Sequence, residues 1–430
     1  MVSRSSSAKK RTKLGICGLG YVGLPLAIAF SKHFETIGYD HNAAIVSDLS
    51  HGRDPTASLS EKDAASLSGL TFSSDPASLA DCTYLIIAVP TPLTDRDEPD
   101  LELLCRATEN VAKHMSNGVT VVIESTVSPG TTEGICKSIL ERVSGKTLEK
   151  DFFLGYAPER INPGDPDHQL ADVIKVVAGT TAETADRLAI LYSAIVPAGV
   201  HVASSICVAE AAKLIENTQR DVNIALMNEF VAIFGHLGID MEEILRTAGT
   251  KWNFLPFRPG LVGGHCTPVD PHYLEHSALD AGFQPRIIPV ARGINNAVPG
   301  FLAGLLLRHF ERSGRSLSGT RLLQLGITYK PNCADLRNSR AVDLVRELQA
   351  LGAEVDAYDP FISTNFTNLP DNVLLRDEPE QDGYDGIVVA VGHTCFQEMG
   401  ADALRKFGRH NHVLADFCRI VPREQTDLVY

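Results

Sequence analysis

The sequence predicts an α/β protein in which two parallel-sheet domains are joined by a long central helix and a helical middle domain. Three observations carry that expectation. A glycine-rich turn at residues 18–23 sits between a short apolar run and a helical pattern. From residue 208 to 237 apolar residues recur at helical spacing, with no proline and no glycine before Gly235. A second alternation of strand-like and helix-like segments begins at Arg321. Such alternation reads as parallel sheets, because each parallel pairing needs a crossover and a helix usually supplies it.

The 430 residues leave room for two or three separate cores. With 39 basic against 53 acidic residues the net charge is −14, which disfavours a nucleic-acid partner, since phosphate backbones are bound by positive charge. No apolar run is expected to reach the length of a membrane helix, so no membrane partner is expected. The first residues are rich in Ser, Lys and Arg without an apolar stretch, and read as a disordered arm rather than a secretory signal. Nine cysteines without a Cys-x-x-Cys pair suggest reduced thiols in the cytoplasm.

The apolar run at 13–17 stops at Gly18-Leu19-Gly20-Tyr21-Val22-Gly23, and Leu24, Leu26, Ala27, Ala29 and Phe30 continue at helical spacing. A G-x-G-x-x-G between strand and helix is a dinucleotide fingerprint, here opening a Rossmann-like domain. Gly18 allows the tight turn, Gly20 the approach of a pyrophosphate, and Gly23 close helix–strand packing. The helix N-terminus offers N–H groups and the positive end of its dipole. A second strand at 36–39 ends at Asp40, about 22 residues past Gly18, where a carboxylate accepts ribose hydroxyls. No arginine adjoins Asp40 to receive a 2′-phosphate, which favours NAD over NADP.

Strand runs at 84–89 and 119–123 end in Pro90-Thr91-Pro92 and Glu124-Ser125-Thr126-Val127-Ser128-Pro129-Gly130. Ligands collect at the carboxyl ends of parallel strands, so Thr91 and Thr126 either face the cofactor or merely cap helices. A run at 152–156 leads into Ala157-Pro158-Glu159-Arg160-Ile161-Asn162-Pro163-Gly164. There Glu159 is a base, a water-holder, or half of a surface ion pair with Arg160.

The helix at 208–237 would span about 45 Å and could carry a dimer interface. Lys213 and Asn217 share one of its faces, as solvated surface or as a buried pair steadying an oxyanion. The loop at 252–260 holds the chain's single tryptophan, Phe254, Phe257, Arg258 and Gly260, and its prolines forbid helix. Aromatic rings and cations there suit a grip on a phosphorylated substrate. It runs into Gly263-Gly264-His265-Cys266-Thr267-Pro268-Val269-Asp270. Glycines let a thiol sit on the floor of a cleft, and Asp270 lies one turn beyond it if a helix begins there. Cys266 is then a buried structural cysteine or a nucleophile toward an aldehyde. His272 and His276 read as surface histidines, and no metal site is expected.

The closing segment shows strand runs at 321–326, 354–358, 386–390 and 412–416 and a helix at 339–351. Lys330 and Arg337 leave the first of these strand ends together, as a diphosphate clamp or as a charged loop.

These residues together resemble the UDP-glucose/GDP-mannose dehydrogenase family over nearly the whole chain. The marks are the glycine turn, Ser-Thr-Val-Ser-Pro-Gly at 125–130, Pro-Glu-Arg at 158–160, Lys213 with Asn217, Gly-Gly-His-Cys, and Tyr329-Lys330-Pro331 with Asp335 and Arg337. The resemblance implies an arm at 1–12, an NAD-binding domain at 13–203, a central dimerisation domain at 204–312 and a UDP-sugar domain at 313–430. It implies a homodimer that oxidises a sugar C6 alcohol to the acid in two NAD-dependent steps through a cysteine-linked thiohemiacetal and thioester.

On that resemblance Cys266 is the nucleophile, Lys213 steadies the oxyanion, Asn217 holds the site, and Asp270, Thr126 and Glu159 manage water. Gly18, Gly20, Tyr21, Val22, Gly23, Asp40, Thr91 and Thr126 hold NAD, with Arg337 reaching it from the last domain. Glu159, Arg160, Lys213, Asn217, Phe257, Arg258, Gly260, His265, Tyr329 and Lys330 contact the nucleotide sugar. Val269 stands where the UDP-glucose branch carries lysine, and His265 with the 252–260 loop resembles the UDP-N-acetylhexosamine branch, serving capsule or O-antigen synthesis. Thr267 occupies a position commonly aliphatic in relatives. UDP-N-acetylmannosamine or UDP-glucose oxidation, and a non-catalytic NAD-binding scaffold, are the competing readings.

Overall fold

The computed structural model describes residues 12–54, 59, 66–67, 70–161, 169–364, 369–370 and 373–430. Residues 1–11 of the expected arm, and 162–164 of the loop that follows Ile161, lie outside the described residues. The chain divides into two compact units, Met1–Ile215 and Glu216–Tyr430.

The first unit is built on eight strands: β1 (Lys13–Cys17), β2 (Glu35–Tyr39), β3 (Thr71–Ser73), β4 (Tyr84–Ile87), β5 (Val119–Ile123), β6 (Phe152–Tyr156), β7 (Lys175–Gly179) and β8 (Val200–Val202). Their order in the sheet is β3-β2-β1-β4-β5-β6-β7-β8. All neighbours are parallel except β6 and β7. Every residue of β5 is buried, as expected of a central parallel strand covered on both faces. Alternation sorts the side chains: Leu85, Ile87, Val121 and Ile123 join one core, while Ile86 and Val122 join the other with Leu14 and Ile16. The order reverses between β1 and β4, which opens a crevice above their carboxyl ends. Sequence reasoning missed β3, β7 and β8.

The helix Ile206–Leu237 has 32 residues, slightly more than the pattern predicted, and belongs to both units from its two ends. The second unit continues with helices Met241–Ala248, Asp270–Asp280 and Ile287–Arg312. It closes on β9 (Arg321–Leu325), β10 (Glu354–Tyr358), β11 (Leu374–Leu375), β12 (Tyr384–Val389), β13 (Gly408–Asp416) and β14 (Leu428–Val429). This sheet is parallel throughout, in the order β11-β10-β9-β12-β13-β14. Leu302, Leu306 and Phe310 of the third helix pack with Leu322, Val355 and Val388 on one face, and Leu323, Ile387 and Leu414 form a second core with Phe396 and Leu404.

One composition-based expectation is corrected. Helix Ile287–Arg312 is long and apolar enough, by length and composition, to cross a membrane. Its inner face nevertheless carries Arg292, 3% exposed, whose Nη1 donates to Asp221 at 2.5 Å, with Asn295 donating to the same oxygen at 2.7 Å. A buried charge needs such a partner. Together with the apolar packing this makes it a core helix of the second unit.

Candidate active site

In the first unit the glycine turn has the expected geometry. Gly18 has φ +94°, and a Cβ added at Gly23 would lie 1.8 Å from the Gly18 carbonyl oxygen. At Gly20 an added Cβ would meet nothing within 4 Å. The three positions thus differ: two are closed by the protein and one is open to a ligand. No side chain caps helix Gly23–Ser31, leaving its positive end to an anion. Asp40 does more than its position suggested. Its Oδ2 accepts the Leu19 N–H at 2.9 Å and its Oδ1 the Asn42 N–H at 2.9 Å. A carboxylate has about four acceptor sites, so Asp40 can hold the turn and still take ribose hydroxyls. These residues fit NAD.

The ends of β4 and β5 are stitched together. Ser125 Oγ donates to the Val89 carbonyl at 2.7 Å and accepts its N–H at 3.1 Å, while Thr91 Oγ1 donates to the Thr126 carbonyl at 2.7 Å. Glu210, fully buried on the long helix, accepts N–H groups from Gly130 (2.6 Å) and Thr132 (2.9 Å), so it fixes the turn just after Thr126.

Glu159 faces inward. Its Oε1 accepts the N–H groups of Arg160 (2.6 Å) and Ile161 (2.7 Å), and its Oε2 lies 3.6 Å from Lys175 Nζ. The Arg160 guanidinium donates to the Ile174 carbonyl at 2.7 Å. Lys175 also donates to Glu124, whose other oxygen accepts the Tyr192 hydroxyl at 2.6 Å. Burial pushes the Glu124 carboxyl up to about 7, against the pull of Lys175 and with the charge of Glu159 adding to the rise. Sequence reasoning missed Glu124, Lys175 and Tyr192. Each looks like the end of a strand or helix, and their meeting is a long-range event.

In the second unit the cysteine turn is held by the segment that follows β9. A Cβ at Gly264 (φ +92°) would strike the Tyr329 ring at 2.8 Å, and one at Gly263 would meet the Asn338 carbonyl oxygen at 2.7 Å. Asn338 Nδ2 donates to the Gly264 carbonyl at 3.0 Å. Cys266, partly exposed and not in a disulfide, gives its carbonyl to the N–H groups of Val269 (3.1 Å) and Asp270 (2.9 Å). The expected helix therefore starts here, as Asp270–Asp280. Asp270 is 2% exposed and accepts from Asn217 Nδ2 at 2.6 Å. Asn217 and Lys213, four residues apart on the long helix, are both buried, which removes the solvated-surface alternative for each.

Arg337 is clamped by Asp335, through Nε at 3.1 Å and Nη2 at 2.7 Å, and its Nη2 donates to His265 Nε2 at 2.8 Å. A ring nitrogen that accepts from a guanidinium carries no proton, so His265 is neutral with its proton on Nδ1. Burial and the Arg337 charge push His265 down to about 4, with Asp335 opposing. Its folded value therefore lies below its free value near 6.5. The stability it contributes is present above about pH 6.5 and is lost as pH falls through about 4. We expect His265→Asn to flatten the drop in unfolding free energy between pH 7 and 4.5, measured by denaturant titration, by on the order of 2–3 kcal/mol at most.

A cavity of about 290 Å³ opens at the carboxyl ends of β9, β12 and β13. Arg258, Gly260, Thr328, Tyr329, Lys330, Gly392 and Arg419 are among its walls. Arg258 is paired with Glu242 at 2.5 Å. Asn228 fixes the entry loop, accepting the Gly260 N–H at 2.8 Å and donating to its carbonyl at 3.1 Å. Phe254 and Phe257 pack on the core of this unit, whereas Trp252 is 92% exposed. Phe257 thus anchors the loop on the core with part of its surface left exposed. His276 is 42% exposed at its side chain, but His272 only 13%, so the latter lies largely under cover.

A dinucleotide turn in one parallel sheet, a nucleotide-sized cavity in another and a cysteine turn beside that cavity define an NAD-dependent dehydrogenase acting on a nucleotide-linked substrate. Family models match along most of the chain: the UDP-glucose/GDP-mannose dehydrogenase NAD-binding domain at 12–196, the central domain at 207–297 and the UDP-binding domain at 323–423. The UDP-N-acetyl-D-glucosamine 6-dehydrogenase of Pseudomonas aeruginosa is 44% identical over 97% of this chain and 99% of that protein. The protein of the same name from Salmonella typhi is 44% identical over 97% and 98%. A solved UDP-D-ManNAc dehydrogenase from Pyrococcus horikoshii superposes with a TM-score of 0.85 at 33% identity, covering 96% of each chain. The chain belongs to the UDP-glucose/GDP-mannose dehydrogenase family, and is an NAD-dependent UDP-sugar dehydrogenase.

Proposed function

We propose that this enzyme oxidises the C6 hydroxyl of UDP-N-acetylglucosamine, with UDP-N-acetylgalactosamine as a second candidate, to the uronic acid. The relatives that are 44% identical over nearly the full chain support the sugar. The observation that carries the chemistry is a shared wall: Tyr329 lies against Gly264 of the cysteine turn and also lines the nucleotide cavity. A thiol there adds to the C6 aldehyde, forming a thiohemiacetal and, after the second oxidation, a thioester that water cleaves. NAD supplies the hydride acceptor for each oxidation. Lys213 steadies the oxygen anion that develops at each addition. Asp270, aligned by Asn217, works with Thr126 and Glu159 on the water and its proton. Arg258, Gly260, Tyr329 and Lys330 hold the nucleotide sugar, with His265, Phe257 and Arg160 around it and Arg337 reaching toward NAD.

The same reading places domains at 13–203, 204–312 and 313–430, and makes the enzyme a cytoplasmic homodimer that serves capsule or O-antigen synthesis. Ile215, Leu226, Ile233 and Leu237 are exposed along the long helix, which supports it as the dimer face. Initial rates with UDP-GlcNAc, UDP-GalNAc, UDP-ManNAc and UDP-glucose test the assignment. UDP-GlcNAc should give the highest kcat/KM; a preference for UDP-ManNAc or UDP-glucose would overturn the sugar. NAD binding without NADH formation on any of the four would instead support a scaffold.

A further inference from the structure

Beneath the nucleotide cavity lies a histidine that plays no part in the chemistry above. His393 follows β12, is fully buried, and stacks on Phe361 (5.0 Å) with Phe396 edge-on (5.3 Å). Its two nitrogens reach two different loops. Nδ1 accepts the backbone N–H of Asn332 at 2.9 Å. Nε2 lies 3.1 Å from Asp359 Oδ2, beyond β10, and 3.3 Å from Thr328 Oγ1, beyond β9. A backbone N–H can only donate, so Nδ1 is unprotonated and the ring's proton sits on Nε2, directed at Asp359.

Asp359 is equipped to stay ionised. It accepts the N–H groups of Ile327 (2.8 Å), Thr328 (3.1 Å) and Phe361 (3.0 Å). Burial opposes its charge, yet His393 and these N–H groups together hold the carboxyl below its ordinary range. One ring thus ties the carboxyl ends of β9, β10 and β12 at the point where the strand order reverses.

The loop so held is the one that carries Tyr329 and Lys330 over the cavity. Its far end, Asn332, has φ +58°, a left-handed conformation that a non-glycine residue keeps only when something holds it there. The Asn332 side chain adds to the hold, donating to Thr394 Oγ1 at 2.8 Å and accepting the Thr394 N–H at 3.0 Å. Thr328 Oγ1 donates to the Lys330 carbonyl at 3.1 Å. Both ends of the Tyr329-Lys330-Pro331 segment therefore hang on groups bonded to His393, while Val391 and Gly392, just before it, line the cavity themselves.

We propose that His393 is a positioning residue for nucleotide-sugar binding, its Nδ1 fixing the Tyr329–Lys330 wall of the cavity through the Asn332 N–H. The inference rests on the reading that this cavity takes the UDP moiety. The ring touches no substrate; it acts through the loop.

The test uses the full-length enzyme, with UDP affinity by calorimetry and steady-state constants for UDP-GlcNAc and NAD. His393→Leu removes both bonds, His393→Asn keeps an acceptor near the place of Nδ1, and His393→Gln reaches toward Asp359 only. Losing a bond of this kind is expected to raise the UDP Kd and the UDP-GlcNAc KM about tenfold in His393→Leu and His393→Gln. His393→Asn should recover most of the affinity, and KM for NAD should stay unchanged throughout. Equal losses in all three variants, or a parallel rise in KM for NAD, would overturn the proposal in favour of general destabilisation.

Should His393→Leu fail to fold, the pair His393→Asn and His393→Gln carries the test: a higher KM for UDP-GlcNAc in His393→Gln than in His393→Asn supports the proposal, and equal values overturn it. Lys330→Ala is the separate control on the cavity. If it leaves the UDP Kd unaltered, the reading of the cavity fails and the positioning role with it; if it raises the UDP Kd while His393→Leu and His393→Gln leave it unchanged, the cavity reading stands and the positioning role alone is overturned.

Discussion

Replacing Cys266 with serine is expected to abolish uronic acid formation, lowering kcat by about a thousandfold or more, while the Kd for UDP-GlcNAc changes little. A hydroxyl is a far weaker nucleophile than a thiol at neutral pH, and an oxygen ester is a poorer substitute for the thioester that water must cleave. The backbone of this turn is held by its glycines and by carbonyl bonds. Gly264 is pressed on the Tyr329 ring, and the Cys266 carbonyl accepts the first N–H groups of the following helix. Serine can occupy the position without moving either. Product analysis by mass, beside calorimetric binding of the nucleotide sugar, separates the two effects. Acid production at the normal rate would remove the cysteine from the mechanism.

Gly23→Ala is expected to weaken NAD binding by at least about a hundredfold and to lower stability. The added Cβ would sit 1.8 Å from the Gly18 carbonyl oxygen, so the turn and the helix that follows cannot keep their places. Gly20→Ala provides the informative contrast. Nothing in the protein lies within 4 Å of a Cβ there, so the variant should melt close to the parent yet bind NAD poorly, because the methyl group occupies the path of the pyrophosphate. Fluorescence titration with NADH and a melting curve for each variant check both expectations. Tight cofactor binding by Gly20→Ala would mean that the dinucleotide does not cross this turn.

The first Rossmann-like half was legible because its signals are local. The glycine spacing, the run Val119–Ile123 and the acid after β2 each lie within a short window, and the structure places β1, β2, β4, β5 and β6 within a few residues of their expected bounds. The cysteine turn was legible for the same reason, since its two glycines announce a backbone that something must approach. Partners distant in sequence were not. Lys175 opens a strand of apolar residues and carries no mark of the two glutamates it meets. Glu210 sits in the second turn of the long helix, and the N–H groups it accepts lie 78 and 80 positions away. Helix Ile287–Arg312 was obscured by Pro299, Gly293, Gly300 and Gly304 within it; packing against the second sheet outweighs their poor propensity.

The double duty of Asp40 bears on any attempt to redesign this enzyme around a phosphorylated cofactor. The obvious exchange, a small neutral or cationic residue in place of the acid, would remove a negative charge from the ribose and also cut the tether between Leu19 and the second strand. Selectivity and the rigidity of the phosphate loop are therefore wired to one side chain. A switched variant would need a new acceptor for the Leu19 N–H before it could profit from the changed charge.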